Sequence, residues 1–208
     1  MENWGSIISA LAAILILIIL PLIARRRKKE GATNKTEELY RHLRALGVGA
    51  SPVEKGDEKE KIWLARASGQ KSEGLIELEG RNIDSINVLS ISTQYETRYS
   101  IEYLVQASNI MIERALKRTR LTRKKSPPLW GKVVAIDWKG DASLAQGLKL
   151  DYSLEDKLLR ADVNAFKGTI QIFPEPKHGY ARIRTDYFLP SAEMFEAISS
   201  IARHIKSW

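Results

Sequence analysis

The uncharged run near the N-terminus constrains this chain more than any other feature. From Trp4 to Ala24 the sequence contains no charged residue, and twelve of the 18 positions from 7 to 24 are Leu or Ile. At a rise of roughly 1.5 Å per residue, a helix of this length spans about 31 Å, close to the hydrocarbon thickness of a bilayer. The run therefore predicts one transmembrane helix.

The residues that flank this run predict its orientation. Five consecutive basic residues follow it, whereas the segment Met1–Trp4 contains no Lys or Arg. A cleaved export signal has the reverse order, with its positive charge before a shorter apolar stretch. Because basic flanks stay in the cytoplasm, we expect a single-pass signal anchor in the cell membrane, with the N-terminus outside and a cytoplasmic C-terminal domain. The basic flank consists of Arg25, Arg26, Arg27, Lys28 and Lys29.

The net charge of +8 is concentrated in two places. The flank contributes +5 and a second group contributes +7, so the remaining residues carry a net charge of −4. This distribution describes a mildly acidic body with two basic patches, and a uniformly basic nucleic-acid binder would look different. We interpret both patches as membrane-surface or anion-binding sites. The second group consists of Arg114, Lys117, Arg118, Arg120, Arg123, Lys124 and Lys125.

The second basic group falls in a segment predicted to be a helix from Ser108 to about Leu121. Its Ile112 and Leu116 would face inward and the basic side chains outward. Near an anionic leaflet, each Lys or Arg contributes about 1 kcal/mol of attraction. The same surface could contact the phosphates of a nucleic acid or an acidic partner, and a plain solvated helix face is the simplest alternative.

Composition and the positions of proline and glycine divide the chain into three parts. Residues 1–31 are the predicted transmembrane anchor with its basic flank, and residues 32–61 are a juxtamembrane helix and a flexible linker rich in small and charged residues. Residues 62–208 are predicted to form an α+β domain, with 62–125 and 131–208 as candidate subdomains on either side of a Pro-Pro break. The absence of cysteine excludes disulfides, thiol catalysis and Cys-based metal sites.

Local patterns predict a largely antiparallel sheet with helices packed on one face. Thr36 and Gly47 are expected to bound the juxtamembrane helix. Strands are expected at 62–67, 75–80, 86–95, 98–106 and 132–138, with "SGQKSEG" as a turn and Glu96-Thr97 at a bend. Two short helices capped by Asp141 and Ser153 come next. A hairpin around "PEPKHG" then leads to a final amphipathic helix that begins near Ser191.

The chain contains few candidates for chemistry. Asp137, Lys139 and Asp141 follow a predicted strand, where carboxylates can bind a divalent cation or transfer protons and a lysine can neutralise a phosphate. A Gly-Asp step is also ordinary turn and cap chemistry. The histidines lack metal-ligand spacing, and no glycine-rich phosphate loop is present, so we expect no cofactor and no metal site.

These observations support three functional hypotheses. The leading one is a non-enzymatic binding or scaffold module held at the membrane face, whose partners are the lipid bilayer and an unidentified protein. The second is a membrane-bound enzyme that acts on a phosphorylated or lipid substrate near Asp137 and Asp141. The third is nucleic-acid binding through residues 114–125, and the oligomeric state stays open.

Overall fold

The computed structural model describes residues 34–54, 70–106, 117–126, 132–161, 170–175 and 179–207. Four helices lie in these ranges: α1 (Lys35–Ala45), α2 (Ala142–Leu150), α3 (Tyr152–Arg160) and α4 (Ala192–Lys206). Eight strands lie there too: β1 (Ala50–Pro52), β2 (Gln70–Leu78), β3 (Ser85–Ser92), β4 (Thr97–Gln106), β5 (Thr119–Ser126), β6 (Lys132–Lys139), β7 (Gln171–Glu175) and β8 (Tyr180–Asp186).

The strands form one sheet in the order β1-β2-β3-β4-β8-β7-β5-β6, and every neighbouring pair is antiparallel. The α+β class and the antiparallel sheet are therefore confirmed. The predicted β3–β4 and β7–β8 hairpins are also present. The bend of the first hairpin lies slightly earlier than predicted, since the Thr93 N–H donates to the Glu96 carbonyl at 2.8 Å and Thr97 already belongs to β4.

One face of the sheet carries the hydrophobic core. Ile86, Tyr103, Ile183 and Ile172 are successive cross-strand partners on this face, and all four are buried. The buried apolar side chains of all four helices belong to the same hydrophobic cluster as these strand residues. Fully burying one such aliphatic side chain is worth about 1.5–3 kcal/mol, so this shared cluster is the main stabilising feature of the unit formed by residues 35–208.

Helix α1 is part of this core, although the sequence placed it in a juxtamembrane segment. Its Leu39 and Leu43 are fully buried and pack in the same cluster. Gly47 ends the helix as predicted, with a backbone φ of 76°. The Val48 N–H donates to the Leu43 carbonyl at 3.0 Å and the Gly47 N–H to the Arg44 carbonyl at 3.0 Å, which is the Schellman arrangement.

Several predicted features lie outside the described residues. They include the anchor at 1–31 with its basic flank, the strand at Ile62, Arg114 and the Pro-Pro segment. Within the described ranges, no helix is both long enough and apolar enough to cross a membrane. The anchor and the domain boundaries stay predictions.

The helix predicted to run to Leu121 is wrong at its C-terminal end, because Thr119–Ser126 is strand β5. Thr119 and Leu121 are buried and Arg120 is exposed, which is the two-residue period of a strand. Leu121 lies opposite the buried Trp138 of β6. Pairing with β6 therefore overrides the helix propensity of an Arg- and Lys-rich segment.

The turn predicted at "SGQKSEG" is also wrong over its described part. Gln70–Gly74 belongs to β2 and pairs with β3, starting with Gln70 opposite Ile91. A register shift between Ser72 and Gly74 marks a bulge. The small and polar residues that suggested a turn thus lie on a bulged strand, where cross-strand hydrogen bonds fix the conformation.

Two predicted helix caps are confirmed. Asp141 caps α2 by accepting the Ser143 and Leu144 N–H groups at 3.0 and 3.3 Å, and Ser191 caps α4 by accepting the Met194 N–H at 3.2 Å. Both satisfy backbone donors that have no partner within the helix.

Two other predicted caps are wrong. Thr36 lies inside α1, which begins at Lys35. Ser153 lies inside α3, whose cap is Asp151, and the Asp151 carboxylate accepts the Leu154 N–H at 2.9 Å. Asp151 is the single residue between α2 and α3, so the tight link places its carboxylate at the N-terminus of α3.

Candidate functional site

The face of the sheet opposite the core carries a row of polar side chains, and we call it the polar face. From the edge strand β6 towards β3, one row of residues crosses this face, and each residue lies opposite the next one on the neighbouring strand. That row consists of Lys139, Arg120, Gln171, Arg184, Glu102 and Asn87. Because directly opposed side chains on a sheet interact, the order of charges along this row decides which groups neutralise one another.

A buried ion cluster occupies the middle of the polar face. The Glu102 side chain is only 2% exposed and accepts a hydrogen bond from Arg184 Nε at 2.9 Å and one from Arg182 Nη1 at 3.1 Å. Arg182 also pairs with Glu175. Two carboxylates and two guanidinium groups therefore balance in charge, which a buried cluster requires.

Phe173 links this cluster to strand β5. The guanidinium carbons of Arg118, Arg184 and Arg182 lie 4.6, 4.8 and 5.6 Å from the centre of its ring. These separations are within the range of cation–π attraction. Arg118 also donates to the Gln171 side chain, so its guanidinium group is held at the border between the ion cluster and β5.

The basic residues of β5 have very different cross-strand partners. Arg120 lies opposite Lys139 on one side and Gln171 on the other. Lys124 lies opposite Ala135, and Lys125 opposite Val133. Arg184, by contrast, lies opposite Glu102. Like charges directly opposite each other destabilise a sheet, so the Arg120–Lys139 pair carries an electrostatic cost that the arginines of β8 avoid.

The basic side chains of this segment are mostly exposed to solvent, and most of them lack an oppositely charged neighbour among the described residues. Most members of the second basic group that the structure describes are exposed, namely Lys117, Arg118, Arg120, Lys124 and Lys125. None of these five forms an ion pair with a carboxylate of the described residues. Arg123 is half-buried; burial lowers the pKa of its guanidinium group, and the charge of Asp186 partly opposes this shift.

The shape of the sheet presents these charges at one edge. Within the described ranges, β7 pairs with β5 at Thr119 and Arg120, whereas β6 pairs with β5 from Arg120 to Ser126. Among the described residues, 122–126 of β5 are therefore paired with β6 alone. We call residues 117–126 together with Lys139 the basic ribbon. The structure brings most of the second basic group together with a lysine that the sequence had suggested for catalysis.

The candidate catalytic residues have structural partners. The Asp141 carboxylate caps α2, and the Asp141 backbone N–H donates to the Thr119 hydroxyl at 3.1 Å. Asp137 pairs with Lys149 at 2.7 Å and accepts the Trp138 N–H at 2.9 Å. The hydrogen bond from Lys149 lowers the pKa of Asp137, and the charge of Lys139 adds to this effect. Catalysis by Asp137, Lys139 and Asp141 stays a prediction.

Two histidines belong to helix contacts that the sequence did not reveal. His42 Nε2 lies 2.7 Å from the Pro190 carbonyl, and His204 Nε2 lies 2.8 Å from Asp151 Oδ2. The second contact ties α4 to the α2–α3 link. Within the described part of the chain, no group of three potential ligands could hold a metal ion.

Sequence reasoning missed the ion cluster and its aromatic partner. Glu102 and Arg184 each occupy a polar position in an otherwise alternating strand, and that signal was visible in "SIEYLV" and "YARIRTD". The alternation shows which side chains share a face, but only the strand order places Glu102 opposite Arg184.

The fold and the charge pattern define an α+β protein with an eight-stranded antiparallel sheet and a basic ribbon at one edge. In comparisons with known proteins, the chain matches no protein-family model, no curated protein and no solved structure. Its function is therefore inferred from the placement of its charges.

Proposed function

We propose that this chain is a single-pass membrane protein whose C-terminal unit is a non-enzymatic binding module at the cytoplasmic face. The apolar run Trp4–Ala24 acts as the anchor, and the basic flank 25–29 keeps the following residues in the cytoplasm. The module binds the anionic surface of the leaflet through its basic ribbon.

The observation that carries this proposal is the contrast between two sets of cations on one sheet. The arginines of β8 are matched with Glu102 and Glu175, whereas the basic ribbon places Arg120 opposite Lys139 and has no described carboxylate partner for its exposed cations. An anionic leaflet supplies the missing negative charge, at about 1 kcal/mol for each Lys or Arg near the surface.

The anchor supports this role by fixing the module close to the lipid. Binding of the ribbon then becomes an intramolecular event, so a modest attraction is enough to orient the module. Exposed charges are screened over about 8 Å at physiological ionic strength, and ribbon contact should therefore weaken steeply with added salt.

The anchor is tested in intact cells that express the chain with a C-terminal epitope tag. We expect the protein to stay in the membrane fraction after carbonate washing and the tag to resist external protease until the cells are permeabilised. Release by carbonate, or digestion of the tag from outside, would contradict the proposed placement.

The ribbon contact is tested by lysine acetylation of the full chain in lipid nanodiscs, measured by mass spectrometry. Anionic discs should slow the acetylation of Lys124 and Lys125 by about threefold relative to zwitterionic discs, and high salt should remove this protection. Lys71 on β2, whose side chain is 75% exposed, serves as the matched control and should react at the same rate in both discs. Equal rates for Lys124 in both discs would refute the ribbon contact.

A further inference from the structure

The cations at the base of the basic ribbon form a compact group. Arg120 and Lys139 are cross-strand partners, whose side chains begin about 5 Å apart. Arg118 comes directly before β5, two residues from Arg120, and its contact with Phe173 places it on the same polar face. All three side chains are exposed.

From this geometry we propose that Arg118, Arg120 and Lys139 bind a phosphomonoester lipid headgroup, such as that of phosphatidic acid. The inference rests on the proposed function, since only a module held at the leaflet meets such a headgroup continuously. It adds a preference for one headgroup chemistry to a general attraction for anionic lipid.

The number of charges favours a phosphomonoester. A phosphomonoester carries a charge of about −1.5 to −2 at pH 7 and offers three acceptor oxygens. Two cations held opposite each other repel, and one dianion between them neutralises both. A headgroup with a single phosphodiester charge leaves one of the opposed cations uncompensated.

The orientation of Arg118 favours a specific site over a diffuse charge. Its guanidinium carbon lies over the Phe173 ring, 4.6 Å from the ring centre, and the group donates to Gln171, so two contacts restrain it before any ligand binds. Arginine has five N–H donors, and the contact with Gln171 leaves several of them for phosphate oxygens. A restrained, planar group of this kind suits recognition of phosphate by two hydrogen bonds.

The test compares nanodiscs of equal zeta potential that contain the full chain and either phosphatidic acid or phosphatidylserine in phosphatidylcholine. The readout is the acetylation rate of Lys139. We expect at least about threefold greater protection of Lys139 in the phosphatidic acid discs. Arg120→Gln should remove this preference. The control Arg41→Gln should keep it, because Arg41 lies on α1 with a 77% exposed side chain.

Four outcomes would overturn the inference. Equal protection of Lys139 in the two charged discs would refute the headgroup preference and leave the ribbon contact intact, whereas loss of Lys124 protection in both would refute the proposed function itself. Equal protection by soluble glycerol 3-phosphate in phosphatidylcholine discs would assign the site to a free phosphomonoester. Equal protection by a single-stranded oligonucleotide in those discs would assign it to nucleic acid.

Near-UV circular dichroism checks that Arg120→Gln is folded. A second variant, Arg120→Lys, keeps the charge without the planar group and should retain only part of the preference.

Discussion

Glu102 and Arg184 lie opposite each other on β4 and β8, and the Glu102 carboxylate also accepts a hydrogen bond from Arg182. The pair joins two strands that are 82 residues apart in sequence. It neutralises the arginines in the middle of the polar face, whereas Arg120 and Lys139 of the basic ribbon lie opposite each other and form no ion pair with a carboxylate of the described residues.

Removing the Glu102 charge should destabilise the protein strongly. Glu102→Gln leaves Arg182 and Arg184 without their shared carboxylate. We expect a loss of about 3 kcal/mol in the free energy of unfolding, because removal of one partner leaves a buried charge uncompensated. Urea unfolding of the full chain in mild detergent, followed by circular dichroism, measures this loss.

The matched control for this prediction is Glu96→Gln. Glu96 pairs with Arg98 at the β3–β4 bend, where its side chain is 51% exposed, so its loss should change stability by less than about 0.5 kcal/mol. The double variant Glu102→Gln/Arg184→Gln should be more stable than Glu102→Gln alone, since it removes one of the uncompensated positive charges. Similar losses for Glu102→Gln and Glu96→Gln would show that the cluster does not stabilise the sheet.

Asp141 should behave as a helix cap. Asp141→Ala removes the acceptor for the Ser143 and Leu144 N–H groups and should cost about 1 kcal/mol, whereas Asp141→Asn should retain most of the stability. Thermal unfolding of both variants measures the difference. If Asp141→Asn is as unstable as Asp141→Ala, the carboxylate charge has a role beyond capping.

Acid should weaken the contact between Asp151 and His204. Burial alone raises the pKa of Asp151, but hydrogen bonds from His204 and the Leu154 N–H, together with nearby positive charge, outweigh burial and hold this pKa below the ordinary value of an aspartate. A carboxyl group whose pKa is lower in the folded state adds stability above its unfolded pKa and loses it as the pH falls through the folded value.

Asp151→Asn isolates this effect, because asparagine can still cap α3. We expect the wild-type chain to be more stable than Asp151→Asn at pH 7, and we expect that difference to shrink below about pH 4. Urea midpoints at pH 7 and pH 3 measure the change, with Asp156→Asn on the exposed side of α3 as the control. A stability difference that is the same at both pH values would contradict the assignment.

Gly140 should tolerate no side chain. Its φ is 143°, and an added Cβ would overlap the Arg118 carbonyl oxygen and lie 2.5 Å from the Thr119 Cα. Gly140→Ala should therefore cost more than about 2 kcal/mol and disturb the base of the basic ribbon. Gly47→Ala is the control, since nothing lies within 4 Å of its added Cβ and only the positive φ opposes it, at about 1–2 kcal/mol. Thermal midpoints in the reverse order would show that the backbone at Gly140 moves to accept the side chain.

The sequence by itself determined the features that depend on neighbours in the chain. The period of apolar residues predicts the α+β class and the β7–β8 hairpin. Cap chemistry and glycine geometry, which involve only a few residues, predict the caps at Asp141 and Ser191 and the helix end at Gly47. The tertiary structure alone decided that residues 119–126 form a strand, because their partners on β6 and β7 compete with local helix propensity. It also decided which cations are neutralised, since Glu102 meets Arg184 only through the strand order, and an electrostatic interaction depends on distance in space and not along the chain.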